Sequence, residues 1–168
     1  MEIKEISPSA LRENIFDALS KEWMLLTTER EGKINTMTVG WGGIGVMWGK
    51  NVVYAVVRPE RYTHELLEES EHFSMSVLED GHREKLGYCG RNSGRDRDKI
   101  EECGFKVLHS GETPYFEEAR LTFVCRKLFA SDFTAENFLG NSALIEKWYG
   151  GGYHTLYIAE IERILIKE

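Results

Sequence analysis

Only three prolines and three cysteines occur in this chain of 168 residues. Cys89, Cys103 and Cys125 are odd in number, widely spaced and free of any Cys-x-x-Cys pair. Neither a disulfide framework nor a zinc site is therefore written into them, and a reducing, cytoplasmic setting is expected. Cys89 and Cys103 read as buried, unreactive thiols. No apolar run is long enough to span a bilayer, and Met1 to Ser9 alternates charged and apolar residues without a signal-peptide core. Positive charge is scarce as well: 21 Lys and Arg stand against 28 Asp and Glu, a formal net charge of −7. Nucleic acid and anionic membrane surfaces need a positive field, so neither is expected as a general partner. Linkers, repeats and low-complexity tracts are also missing, which leaves one domain spanning residues 1–168 with a sizeable core.

What is present is mostly strand. Ser7-Pro8-Ser9, followed by Leu11, Ile15, Ala18 and Leu19, predicts one capped amphipathic helix. Strands are expected at Trp23 to Thr28, Ile34 to Trp41, Val52 to Val57, Phe73 to Leu78, Leu121 to Ala130 and Tyr153 to Ile166. Helices are expected from His64 to Ser70 and Ala143 to Trp148, and as two short pieces between Gly81 and Cys103 around a loop at Gly90 to Arg95. Many strands, frequent turns and few helices favour a small antiparallel barrel with peripheral helices.

Gly40-Trp41-Gly42-Gly43-Ile44-Gly45 has the Gly-x-Gly-x-x-Gly spacing of a dinucleotide site and comes directly after a strand. That chemistry needs a helix whose first amides meet a pyrophosphate. Trp48, Gly49 and Lys50 lead straight into the next strand instead, so the glycines read as a flexible or bulged hairpin connection.

Three other runs carry chemistry. Asn35-Thr36-Met37-Thr38-Val39-Gly40-Trp41 puts amide and hydroxyl groups on a strand that otherwise alternates apolar residues. Asn35, Met37, Val39 and Trp41 would share one face, Thr36 and Thr38 the other. Such a strand can also be an ordinary edge, since threonine suits strands. Arg58-Pro59-Glu60-Arg61-Tyr62-Thr63 sets guanidinium groups at the end of a strand, with Thr63 placed to cap the helix from His64. A phosphate there would meet a guanidinium, a hydroxyl and free helix amides together. Arg91-Asn92-Ser93-Gly94-Arg95-Asp96-Arg97-Asp98-Lys99 places small residues and cations before another helix, although solvated charged loops look similar. Together the runs describe an apolar-walled slot with hydrogen-bonding edges beside a phosphate anchor.

Asn35-Thr36-Met37-Thr38 with Trp41, Arg58-Pro59-x-Arg61-Tyr62-Thr63, Ser93-Gly94-Arg95-Asp96-x-Asp98-Lys99 and Tyr153-His154-Thr155-Leu156-Tyr157 occur in that order. In this the chain resembles the flavin reductase-like proteins with an FMN-binding split β-barrel, and among them the flavoredoxin type. The resemblance implies an antiparallel Greek-key split barrel, a homodimer, and FMN held non-covalently near the subunit interface. It implies that Asn35, Thr36, Met37 and Thr38 border the isoalloxazine and ribityl chain, with Trp41 beside them. Arg58, Arg61, Tyr62 and Thr63 would serve the ribityl and phosphate end, and Ser93, Gly94, Arg95, Asp96 and Lys99 would add phosphate contacts. NADH or NADPH is the implied electron donor, with a redox protein partner as the alternative. Gly152-Tyr153-His154 stands where better-known flavin reductases carry Gly-Asp-His, which weakens the inference to nicotinamide more than the inference to FMN. His154 is expected to line the site or to be structural, not catalytic.

Overall fold

The computed structural model describes residues 2–168. β1 (Ile3–Ile6) leads through a 3-10 turn (Pro8–Ala10) to α1 (Ile15–Asp17), which continues as a wider π-helical turn (Ala18–Glu22). β2 (Met24–Arg30), β3 (Lys33–Val39), β4 (Gly42–Met47) and β5 (Lys50–Val57) come next, as two hairpins. After them lie α2 (Tyr62–Glu69), β6 (His72–Leu78), α3 (Arg83–Arg91) and α4 (Lys99–Cys103). β7 (Val107–Ser110) and β8 (Thr113–Phe116) form a separate hairpin, before β9 (Ala119–Asp132), α5 (Ser142–Trp148) and β10 (Thr155–Lys167).

The main sheet is antiparallel in the order β3-β2-β6-β9-β10-β5-β4, with β1 added along β10. β3 and β4, at its two ends, are not paired with each other, so the sheet is an opened barrel, as the sequence leads one to expect. Two register shifts, at Ile158/Ala159 and Ile161/Arg163, let the long β10 bend while holding β9. β2 explains its own apolar run: Leu26 faces the barrel interior with Phe73, Met75, Phe123 and Tyr157, while Leu25 faces a second core with Leu86, Cys89, Cys103 and Phe116. The strand is buried on both sides, so its pattern is continuous rather than alternating. The second core fastens α3 and α4 over β2.

Four local expectations change. The N-terminal segment is not one helix from Ser7, because the Asn14 side chain accepts from the amides of Phe16 (3.2 Å) and Asp17 (3.4 Å) and starts a new helix there. Thr63 does not cap α2. A turn in which the Arg61 amide meets the Arg58 carbonyl (3.1 Å) puts Arg61 in the cap position, and Thr63 lies within the first helical turn. The glycine run is not a loose connection: Gly42–Met47 is the edge strand β4, paired with β5. Gly42 has φ 132°, and a Cβ there would come within 2.2 Å of the Tyr54 carbonyl oxygen, so only glycine allows this pairing. No helix lies between β4 and β5, as the case against a dinucleotide site requires. Finally, β1 and the β7–β8 hairpin are not anticipated by the sequence patterns; all three strands have four residues, too short to show a period.

Candidate functional site

The opening between the sheet's two ends holds a cavity of about 300 Å³. One side is the end of β3 and the link after it, with Met37, Thr38, Val39, Gly40 and Trp41. The other is the end of β5 and the turn leading into α2, with Val56, Arg58 and Arg61, and Gly90 of α3 adds a backbone edge. Trp148 and His154, from either end of the loop after α5, complete the mouth. Trp41 meets Trp148 edge-on with centroids 4.9 Å apart, and lies 5.3 Å from the His154 ring. The walls are largely apolar and aromatic, with Arg58 and His154 beside the mouth aromatics and Arg61 next to Gly90.

A second, smaller pocket of about 40 Å³ is lined by Asn35, Tyr62, Thr63, Asn92, Ser93, Gly94 and Lys99, with Glu60 at its wall as well. Arg61 lines both. Its guanidinium donates to the carbonyls of Gly90 (2.9 Å) and Cys89 (3.4 Å), and Lys99 Nζ donates to Cys89 O (3.0 Å). The last carbonyls of a helix are a natural seat for cations. Neither cation has a carboxylate within ion-pair distance among the described residues. Lys99 is only 3% exposed, and desolvation lowers its pKa to about 8; burial lowers that of Arg61 as well. On the opposite wall, Asn35 Nδ2 donates to Thr63 Oγ1 (3.0 Å). A Cβ on Gly94 would lie 2.1 Å from Asn35 Oδ1, so the loop 92–98 presses on β3 as closely as glycine permits.

The fourteen anticipated residues thus divide. Met37, Thr38, Trp41, Arg58 and Arg61 border the larger cavity, and Asn35, Arg61, Tyr62, Thr63, Ser93, Gly94 and Lys99 the smaller. Thr36 reaches neither: it is fully buried, its hydroxyl 2.9 Å from that of Thr27 and bonded to the Leu26 carbonyl at 3.2 Å. Arg95 turns outward to Glu65 (2.8 Å) and the Glu60 carbonyl (3.1 Å), and Asp96 is exposed. Thr38 spends its hydroxyl on the Leu86 carbonyl (2.6 Å), so it docks α3 on β3 rather than offering a donor to the cavity. Sequence reasoning missed Val56, Gly90 and Trp148 as lining residues; only Trp148, beside Tyr149 and ahead of a glycine run, carried a signal. His154 does line the cavity. Its Nδ1 is 2.7 Å from the Tyr149 hydroxyl, and burial, then Arg58, lower its pKa to about 4, so the ring is neutral at physiological pH.

The structure is thus an opened antiparallel barrel with an apolar-walled cavity and, beside it, a small pocket that holds Arg61 and Lys99. The family model described as flavin reductase like domain matches residues 16–168, and the chain belongs to that family. Its fold is shared with the flavoredoxin from Methanosarcina acetivorans, at 23% identity and a TM-score of 0.71, covering 98% of this chain and 76% of that one. A protein from Shewanella baltica OS155, described as an FMN-binding domain of flavin reductases-like enzyme, aligns at 16% identity and a TM-score of 0.70, covering 98% and 77%. The flavoredoxin of Desulfovibrio vulgaris (Miyazaki F) aligns at 19% identity and a TM-score of 0.69, covering 97% and 78%. No curated protein matches the chain significantly.

Proposed function

We propose that this protein binds FMN non-covalently and works as an NAD(P)H-dependent flavin reductase. The observation that carries the flavin assignment is the pair Arg61 and Lys99: a half-buried guanidinium and a buried ammonium, both donating to backbone carbonyls, in a small pocket that shares Arg61 with an apolar-walled cavity. Glu60 offsets part of the Arg61 charge from a distance, but neither cation has a carboxylate in ion-pair contact, and a phosphate would relieve the cost of their burial. The donor set fits a phosphate monoester, with a guanidinium, an ammonium and the hydroxyls of Thr63 and Ser93 around one small pocket. The larger cavity, at about 300 Å³, is at the lower end of small-molecule sites and suits a flat ring held between Met37, Val56 and Trp41.

When bound, FMN supplies two-electron acceptance from a nicotinamide and stepwise release to an acceptor. The protein's part is to hold and shield. Arg61 and Lys99 neutralise the phosphate, the β3 and β5 ends keep one side of the ring dry, and the Trp41–Trp148 pair borders the side left for a second substrate. A neutral His154 adds a polar group to that mouth without a charge. None of these roles requires a protein acid or base. Anaerobic mixing of the FMN-loaded protein with NADH and with NADPH tests the reading: the flavin absorbance should bleach within the mixing experiment with at least one of them. Bleaching with neither, but rapid reduction by a reduced electron-transfer protein, would establish the second reading, an electron carrier served by a redox protein partner. The net charge of −7 favours that reading to the extent that it suits a basic partner.

We also propose a homodimer. Trp41 and Trp148 pack edge-on at the cavity mouth yet remain 43% and 42% exposed. Large aromatic side chains left exposed together fit burial against a second copy, which would then close over the site. Light scattering of the FMN-loaded protein should give twice the chain mass of 19.4 kDa, and the monomer mass would refute the dimer.

A further inference from the structure

Cys89 and Cys103 are fourteen positions apart in sequence, yet their sulfurs are 3.9 Å apart in the second core. Cys89 is in the last turns of α3 and Cys103 ends α4, so the pair joins the two helices that bracket the loop 92–98. The Cys89 carbonyl is also the shared acceptor of Lys99 and Arg61. One residue therefore connects a thiol pair to both cations of the anion pocket.

We propose that Cys89 and Cys103 form a reversible disulfide in response to hydrogen peroxide, and that this bond loosens the anion-binding end of the site. The Cys103 thiol, 8% exposed against 0% for Cys89, is where the oxidant attacks. It takes an oxygen from peroxide to give a sulfenic acid, releasing water. The Cys89 sulfur then attacks the Cys103 sulfur, and the new S–S bond forms as the oxygen leaves with the Cys89 proton as a second water. Two electrons pass from the thiol pair to one peroxide. Burial raises both thiols, Cys89 to about 12, while Lys85 and Lys99 act in the opposite sense on Cys103. The thiolate is the reacting form, so the step requires Cys103 to lose its proton first, is slow at neutral pH and quickens as pH rises; the shielding admits a small uncharged oxidant and keeps out bulky thiols and disulfides.

The coupling to the pocket is steric. Sulfurs 3.9 Å apart must close to about 2.05 Å for a bond, a closure shared in this proposal between side-chain rotation and movement of α3 against α4. The loop between them has no slack at Gly94, where even a methyl group would overlap Asn35. Movement there displaces Asn35 or draws Lys99 off the Cys89 carbonyl.

The test treats the FMN-loaded protein, and the protein stripped of FMN, with hydrogen peroxide. Peptide mass mapping should find Cys89 joined to Cys103, with Cys125, which is fully buried elsewhere, still a thiol. Amide exchange over residues 92–98 should rise in the stripped, oxidised protein, a readout that needs no flavin. FMN affinity should fall about tenfold and return with a phosphine reductant. This last arm alone rests on the proposed flavin binding, so failure to bind FMN at all would refute that function and leave the first two readouts standing. Cys103→Ala should abolish all three peroxide responses. Over-oxidation of separate cysteines, or a disulfide that leaves exchange over 92–98 unchanged, overturns the proposal.

Discussion

The two ends of the site are built by different means. The ring end is made by strand ends: Met37 and Val39 on β3 and Val56 on β5 are placed by register, in a sheet whose partners fix every residue. The anion end is made by a helix C-terminus, a turn and a loop, and its groups are held by side chains reaching backbone carbonyls. Register is a cooperative property of the whole sheet, so the ring end can lose one side chain and keep its shape. The anion end has less redundancy, because Arg61 and Lys99 are at once the groups proposed to meet the phosphate and donors to the last carbonyls of α3.

The comparison is tested most severely at Arg61. Truncation to alanine removes a charge-assisted donor, and FMN affinity should fall by about 2–3 kcal/mol, or roughly thirty- to hundredfold. Riboflavin, which has the ring without the phosphate, should lose little. Calorimetric titration of both ligands separates the outcomes, and equal losses would mean that the two ends are not distinct. The wild-type protein should likewise prefer FMN to riboflavin, and to FAD, whose phosphate carries an adenylate that the small pocket cannot admit.

Lys99 sharpens the same contrast through pH. Its pKa falls from 10.5 unfolded to about 8 folded, so between those values the unfolded chain holds the extra proton. Stability of the flavin-free protein should then rise with pH from about 8 upward, the Lys99 penalty being complete below that value. A bound phosphate raises the Lys99 pKa and cancels the rise. Melting curves across pH 8–9, compared with Lys99→Met, isolate this from the buried thiols, whose raised pKa values act in the opposite direction at higher pH. A slope that survives in Lys99→Met would assign it to another group.

The same division governs how much could be read in the sequence. Six strands and the opened barrel were legible, Phe73 to Leu78 from its alternation and Val52 to Val57 from its continuous apolar run, whereas β1, β4, β7 and β8 were not. At the site, Met37, Arg61, Thr63 and Lys99 were found from residue type and order. What was not legible was the direction of each side chain. Arg95 and Lys99 lie on the same short run, and only the fold decides that one meets Glu65 in solvent while the other is buried under α3. The Thr63 cap failed for a comparable reason: the turn after Arg58 started α2 early, and the hydroxyl found Asn35 instead.

Thr36 shows this most clearly. On its strand it reads as a residue bordering the cofactor and lying outside the core, but the fold places it inside, with its hydroxyl against Thr27. Thr36→Val keeps the branched shape and deletes only the hydroxyl. If Thr36 served the ring, FMN and riboflavin would both weaken by roughly 1 kcal/mol with stability unchanged. The packing calls for the reverse: both affinities held, and a loss of about 1–3 kcal/mol in folding because the Thr27 hydroxyl is left buried without its partner. Removing the partner as well should relieve that penalty, since two apolar groups of the same shape leave nothing unsatisfied. Denaturant unfolding of Thr36→Val, Thr27→Val and the double variant would show it: the double variant should be more stable than the sum of the two single losses allows, and simple additivity would mean that the two hydroxyls do not depend on each other.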